Sequence, residues 1–347
     1  MNPQLDPFDH YLPLVKRYLQ EQCWDDVPMM AGCSFIVSPL ARGEYNLNYL
    51  LTSEKTQLVF RVNIGTQINR DDQILYEYKA LRLLQKSGVT PVPYFADDSR
   101  SFIDRGISIM EYLPGRPLDY QLDLDLAGAA KTLATVHQIA VPPLRNHLIV
   151  EEQPLSLIFK ECAGLLKTYF CSDLAKPDIG SFLHEVVAWA GTTRAKEQYF
   201  LADPWFCIVN TEVNSKNFIV NRQRQTTHLI DWEMVRWGDP STDLCHFCSP
   251  LTTLWKTSVR FSPERSDFFI REYKKNIRSI HLRDTLEERM RLKFPFVLLR
   301  GISWSAMAWV AYQTGYQGIH NEDTRQKLQQ YMDLAFIRSL FEPFMKS

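Results

Sequence analysis

The sequence predicts an α+β protein in two lobes, and three observations carry that prediction. The first third of the 347 residues reads as short strands around one strong helix. A Pro/Gly-rich segment, Leu113–Leu118, then breaks the pattern, too rich in both for a helix or strand interior. Beyond it the chain reads as amphipathic helices, interrupted once by a hairpin between Asn210 and Asp231. A smaller lobe with an antiparallel sheet is therefore expected over residues 1–112, with a helical lead-in over 1–30. The linker is placed at 113–118 and a larger, mainly helical lobe at 119–347.

Each element has a local reason. Ser34–Leu40 and Tyr45–Thr52 are apolar-rich runs joined by Ala-Arg-Gly-Glu, and Gln57–Asn63 follows a second polar turn. From Asp71 to Lys86 the period changes. Ile74, Tyr76, Leu81, Leu83 and Leu84 form one helical stripe, with Glu77, Lys79 and Arg82 interleaved, and Gly88 ends the helix. Val89–Ala96 and Ser101–Tyr112 supply two more strands. After the linker, helical runs are expected at Leu124–Ile139, Ser156–Tyr169 and Ile179–Tyr199. In the hairpin, Phe218–Val220 and His228–Ile230 flank a turn at Asn221–Gln225. Pro240–Thr253, Pro263–Asn276, Thr285–Gln313 (one helix or two) and Glu322–Phe341 complete the helical set.

Composition narrows the class. The 45% hydrophobic and 23% charged content is that of an ordinary globular protein. A net charge of −1 gives no nucleic-acid or anionic-membrane signal. The apolar runs Phe294–Leu299 and Ile302–Tyr312 are broken by Arg300, Ser303 and Ser305, short of the roughly 20 residues of a membrane span. The first ten residues lack a secretory pattern, and the seven cysteines are scattered and odd in number, so a reducing cytoplasm is expected. Cys245 and Cys248 enclose His246 in a C-x-x-C. With no second pair at ligand spacing, both sulfurs are expected to pack on a helix as small hydrophobes.

The hairpin carries the chemistry. It brings Glu212, Asn217 and Asp231 to one end, and two carboxylates with an amide oxygen suit a hard cation such as Mg²⁺ and the phosphates it carries. Asn and Asp are also common turn formers, so any one of them alone would read as structural. Arg61, between Phe60 and Val62, needs a partner or a ligand if it points inward.

Asn210-Thr211-Glu212, Asn217, Asp231 and Gly238-Asp239-Pro240-Ser241-Thr242-Asp243-Leu244 resemble the catalytic and metal loops of the aminoglycoside phosphotransferase/choline kinase group. The resemblance spans about residues 30–250, with a vaguer helical likeness beyond. It implies a bilobal protein-kinase-like fold, ATP and Mg²⁺ as cofactors, and transfer of the γ-phosphate to a hydroxyl of a small molecule. It implies a phosphate-covering turn at Ala41–Tyr49, with Gly43 and Asn46 or Asn48. Arg61 would grip phosphates where lysine is usual, and Glu77 would hold Arg61. The hinge would offer main-chain groups of Glu111 and Leu113 to an adenine edge. Asn217 and Asp231 would bind the metal, Glu212 would orient or deprotonate the acceptor, and Asp243 would brace the loop. The family's loop usually begins with His, then a small residue, then Asp; here Asn210, Thr211 and Glu212 stand instead. Glutamate adds a methylene, and misplacement on the order of 1 Å can cost about 10²-fold in rate. Two rival functions follow: a nucleotide-binding pseudokinase or interaction protein, and an enzyme that modifies a macromolecule or transfers a nucleotidyl group. Glu233 and Asp239 are expected near the acceptor, where they could hold a cationic one. Trp232, Trp237, Trp255, Trp304 and Trp309 could add aromatic faces, although core packing is their commoner use. His137 is expected to be structural.

Overall fold

Strict alternation along the central strand organises the smaller lobe. In the computed structural model, which describes residues 6–142, 146–315 and 322–346, the chain opens with α1 (Pro7–Glu21). Residues 1–5 of the expected lead-in, and 143–145, 316–321 and 347 of the expected larger lobe, lie outside the described residues. The Asp6 carboxylate caps α1 by accepting from Phe8 N–H at 2.9 Å, with Pro7 in the first turn. Next come β1 (Ile36–Arg42), β2 (Asn46–Thr52), β3 (Gln57–Asn63), α2 (Gln73–Leu84), β4 (Pro93–Asp97) and β5 (Ile107–Glu111). The strands form one antiparallel sheet in the order β1-β2-β3-β5-β4. On β3, Leu58, Phe60 and Val62 point to one face and pack with Tyr11, Val15 and Tyr18 of α1. That leaves Val59 and Arg61 on the other face, toward the larger lobe. Gly88, at φ 67°, turns the chain after α2 in the left-handed region that glycine enters freely.

The linker differs from expectation. Arg116–Pro117 forms a two-residue strand, β6, on the edge of the hairpin, in a sheet ordered β10-β9-β6. Pro117 biases the residue before it toward extended backbone, and an edge position tolerates its missing N–H. Leu118 N–H donates to Ser215 O at 3.1 Å, Asn221 Nδ2 to Pro114 O at 2.8 Å, and Arg116 pairs with Asp125 at 2.6 and 3.0 Å. The segment is therefore fastened along its length.

The larger lobe continues with α3 (Asp123–His137), β7 (Ile149–Val150), α4 (Ser156–Phe170), α5 (Pro177–Thr193), α6 (Gln198–Ala202) and β8 (Cys207–Val209). The hairpin is β9 (Phe218–Asn221) and β10 (Thr226–Leu229), and β11 (Arg236–Gly238) joins β7 and β8 in a third small sheet. Then follow α7 (Ser241–Cys248), α8 (Pro250–Thr253), α9 (Pro263–Asn276), α10 (Ile280–Thr314), α11 (Glu322–Tyr331) and α12 (Leu334–Met345). Cys245 and Cys248 are buried on α7, as expected. The run read as Thr285–Gln313 is one helix of 35 residues, unbroken at Pro295. The run Glu322–Phe341 divides instead, because Asp333 caps a new helix by accepting from Phe336 N–H at 2.9 Å. An 18-residue window of α10 is long and apolar enough to cross a membrane by composition, with mean hydropathy 1.3. Of that window, 61% is buried inside the protein, which accounts for its apolar character. Arg289 and Lys293, nearer its start, are fully buried and paired with Asp239 and Glu151.

The close seating of linker on hairpin can be tested at Gly115, where a methyl group would lie 2.7 Å from Val220 O and 2.8 Å from Ile219 Cγ2. Gly115→Ala should destabilise the fold by about 1–3 kcal/mol. Gly180→Ala, in α5 with open space around it, should stabilise by roughly 0.5–1 kcal/mol. Urea denaturation of both variants checks the opposite signs.

Candidate functional site

Arg61 sits at the centre of β3 and is only 6% exposed. Its Nη1 donates to both oxygens of Glu77 at 2.5 and 2.7 Å and reaches Asp231 Oδ1 at 3.4 Å, while Nε donates to Asn48 Oδ1 at 3.0 Å. Nη2 makes none of these bonds. Glu77 Oε1 also accepts from Trp232 N–H at 3.1 Å, so one carboxylate fastens β3, α2 and the segment after the hairpin. Two further bonds tie α2 to that segment: Gln73 Nε2 donates to Glu233 O at 2.8 Å and Tyr76 Oη to Val235 O at 2.6 Å.

The loop after β8 is held by amides and one buried acid. Asp243 is fully buried and accepts from the N–H groups of Asn210 at 2.9 Å and Thr211 at 2.7 Å; His137 lies 3.1 Å from the same carboxylate. His137 is therefore structural, hydrogen-bonded also to Tyr273. Asn210 Nδ2 donates to Asp231 O at 2.7 Å and its Oδ1 accepts from Glu212 N–H at 3.0 Å. Asn217 Nδ2 donates to Glu212 O at 2.8 Å, leaving its Oδ1 for a ligand. Thr211 and Asp231 have φ of 71° and 66°, a region that non-glycine residues seldom occupy. Such backbone costs on the order of 1–3 kcal/mol and persists where surrounding bonds over-determine it.

These tethers converge on acids. Glu212, Asp231 and Glu233 can each present an oxygen with all three within 4.8 Å of one another. Burial, and then the Asp231 charge, pushes the Glu212 carboxyl up to about 7, against the opposing effects of Arg300 and a hydrogen bond from Gln67. Burial raises Asp231 too, with Arg61 opposing, and raises Glu233 well above its ordinary value. An all-oxygen set that resists carrying its full charge is suited to a hard divalent cation.

The acids open onto a cleft of about 1700 Å³ between the lobes, lined also by Gly43, Asn46, Arg61, Glu111, Leu113 and Asn217. Asn46 is committed within the protein: Nδ2 donates to Glu233 Oε2 at 2.6 Å and Oδ1 accepts from Asn63 at 2.9 Å. The Gly43 N–H closes the same turn on Asn46 O at 2.9 Å. Glu111 N–H is taken by Val92 O at 2.8 Å. One expectation is revised. Asp239 does not line the cleft; it accepts from Arg289 at 2.6 Å and from Ser241. Glu233 lines it, as expected, and also joins the acid group. Of the tryptophans, Trp255 and Trp304 reach the cleft, whereas Trp232 is fully buried. The sequence reading missed Gln67, and it noted Arg300 only as an interruption of an apolar run. Both act across the fold, with no local spacing signal.

The sequence matches the model of the phosphotransferase enzyme family over residues 36–282. A search of curated proteins finds no match. Among solved structures, the chain is similar to an ethanolamine kinase from Plasmodium vivax: TM-score 0.62, 15% identity, covering 98% of each chain. It is also similar to a choline kinase from Cryptosporidium parvum Iowa II, with TM-score 0.59 and 14% identity over 95% of this chain and 97% of that one. A spectinomycin phosphotransferase in complex with ADP and spectinomycin aligns at TM-score 0.55 and 14% identity, covering 89% of each. These likenesses establish the protein-kinase-like fold.

Glu212 links the site to stability. Its folded-state pKa stands above its unfolded value, so between about 4.5 and 7 the folded protein binds more protons than the unfolded chain. This group's contribution to stability must therefore fall as pH rises through that window. Metal-free parent protein should melt at lower temperature at pH 7.5 than at pH 5.5 by a margin that shrinks in Glu212→Gln. Scanning calorimetry of both proteins in chelator reads the difference. Separately, Asp243→Ala leaves two buried N–H groups without acceptors, at about 1–3 kcal/mol each, and should lower the denaturation midpoint accordingly.

Proposed function

The chain belongs to the phosphotransferase enzyme family, and on that premise we propose that it moves the γ-phosphoryl group of ATP to a hydroxyl of a small molecule, assisted by Mg²⁺. The observation that carries this reading is the convergence of Glu212, Asp231 and Glu233 within 4.8 Å, facing the buried Arg61 across the end of the cleft. Asn217, Asp231 and Glu233 would hold Mg²⁺, which supplies charge neutralisation of the phosphates when bound. Arg61 has Nη2 to spare for phosphate oxygens, and Glu77 fixes the guanidinium plane. The chain at the end of β5 would offer main-chain groups of Glu111 and Leu113, both lining the cleft, to an adenine edge.

Glu212 takes the proton of the acceptor hydroxyl as its oxygen bonds to the γ-phosphorus. The bond from that phosphorus to the β–γ bridging oxygen breaks, and ADP leaves. A base titrating near neutrality is well matched to this task at neutral pH. Asn210 sets the backbone of Glu212 directly, which supports a working loop despite its departure from the family's His-x-Asp pattern.

Melting curves with and without ATP and Mg²⁺ test the binding half. Ligand at 100 times its Kd should stabilise the parent by about 2.7 kcal/mol, and Asp231→Ala should abolish the shift. ADP release tests the chemistry. Glu212→Gln should lower kcat by about 10²–10⁴-fold with nucleotide stabilisation retained. Nucleotide stabilisation that persists in Asp231→Ala, or its complete absence from the parent, would sink the reading.

A further inference from the structure

The acceptor half of the cleft has a different charge from its catalytic end. It is walled by α4, by the segment running from α7 past α8, and by the middle of α10. Arg300 projects from α10 into this half, and among the described residues it forms no hydrogen bond and no ion pair. Its neighbours in the lobe are matched. Arg236 pairs with Glu161 at 2.7 Å, and Arg289 with Asp203 and Asp239. Lys160 on α4 lines the same half and likewise forms no ion pair among the described residues, and Lys256 lies 5.3 Å over the Trp255 ring.

The acids of this half are mostly engaged. Glu161 is held by Arg236, and Glu44, raised by burial, accepts from Thr324 at 2.9 Å. Asp323 stands exposed at the rim. Of the two acids expected near a cationic acceptor, Asp239 is held by Arg289, and Glu233 belongs to the acid group proposed for Mg²⁺. One helical turn from Arg300, the Trp304 indole N–H is buried with no acceptor among the described residues. Among the described residues this wall thus carries two cations without ion pairs, Arg300 and Lys160, and one buried indole N–H without an acceptor. The charge of Arg300 is felt at Glu212 and at His246, where burial and then Arg300 hold the imidazole at about 4 and so neutral. Arg300 therefore stands within electrostatic reach of the proposed base. A guanidinium fork fits the paired oxygens of carboxylate and phosphate.

We infer that the acceptor is an anionic hydroxylated small molecule, whose carboxylate or phosphate is held by Arg300 while its hydroxyl faces Glu212. The inference rests on the phosphotransferase reading above and names its acceptor class.

The test measures ADP release with acceptors matched in skeleton and different in charge: glucose, glucosamine, glucuronate and glucose 6-phosphate, and then glycerol, ethanolamine, glycerate and glycerol 3-phosphate. The same compounds are scored for thermal stabilisation in the presence of Mg²⁺ and ADP, with parent, Arg300→Gln and Arg300→Glu proteins. In the parent, an anionic member should exceed its neutral and cationic counterparts by about tenfold or more in kcat/KM or in apparent affinity, the scale of one charge-assisted hydrogen bond. Arg300→Gln should erase that preference through KM, and Arg300→Glu should turn it toward the amine. The carboxylate and phosphate arms separate the two kinds of anion. Preference of the parent for neutral or cationic acceptors overturns the inference. So does an equal fall in kcat for every acceptor in Arg300→Gln, which would make Arg300 a balance for Glu212 alone, and so does the absence of any Arg300-dependent compound in both readouts. Nucleotide stabilisation recorded in the same samples separates the two levels. If it is present and anion preference is absent, only the acceptor class fails; if it is absent from the parent, the phosphotransferase reading fails.

Discussion

The site depends on one buried ion pair. Arg61 occupies the middle of a strand whose other face is core, so its charge must be met inside the protein. Glu77 meets it with both oxygens and also accepts the Trp232 N–H, one residue past Asp231. A buried pair of this kind is weak evidence for net stability, because desolvation offsets much of the attraction. Its consequence is positional. Sheet, α2 and the chain after the hairpin share a single junction, and losing either partner would leave a charge stranded at the bottom of the cleft. The bonds from Gln73 and Tyr76 to the carbonyls of Glu233 and Val235 extend the same junction, so α2 is docked on the larger lobe along its inner side.

Around that junction the charges do not balance. Glu77, Glu212, Asp231 and Glu233 gather around Arg61, and the charge of Arg300 is felt at Glu212. Repulsion on that scale would push the acids apart if they were held only by one another. They are held by neutral groups: Asn210, Asn217 and Asn46 bond to carbonyls, N–H groups or carboxylates of the three acid-bearing segments. Two residues in left-handed backbone, Thr211 and Asp231, complete the frame, and the first is pinned by Asp243 and by its own hydroxyl on Met234 O. The frame therefore fixes the three acids close together whatever their charge.

Much of this was legible in the chain because it is written locally. The strand runs, the helix stripe ending at Gly88, the hairpin and the spacing from Asn210 to Asp231 are patterns of a few residues governed by backbone preference and period. What escaped depends on distant partners. Asn46 reads as part of a phosphate-covering turn, yet its side chain is bonded to Glu233, 187 positions away. Asp239 reads as an acid near a pocket, but its partner Arg289 lies 50 positions on, in α10. The linker reads as a breaker because proline and glycine dominate it, while the hairpin edge that turns it into a strand is about 100 residues further along. Helix α10 continues through Pro295 because both its flanks are buried in the helical core, where packing outweighs one lost backbone bond.

The departures from the His-x-Asp pattern are best understood together. An amide at 210 is small enough to bond both Asp231 O, at 2.7 Å, and Glu212 N–H, at 3.0 Å, so it draws the loop onto the segment that carries Asp231. That grip acts on the backbone of residue 212, and the Glu212 carbonyl is held in turn by Asn217 at 2.8 Å. With its backbone held on both sides, the side chain of residue 212 must cover whatever distance remains to the other acids. A glutamate does so, its oxygen coming within 4.8 Å of Asp231 and Glu233, with Gln67 as hydrogen-bond partner. Read singly, Asn210 removes a ring and Glu212 adds a methylene. Read as a pair, one shortens the tether and the other lengthens the reach, and the carboxylate still arrives at the acid cluster.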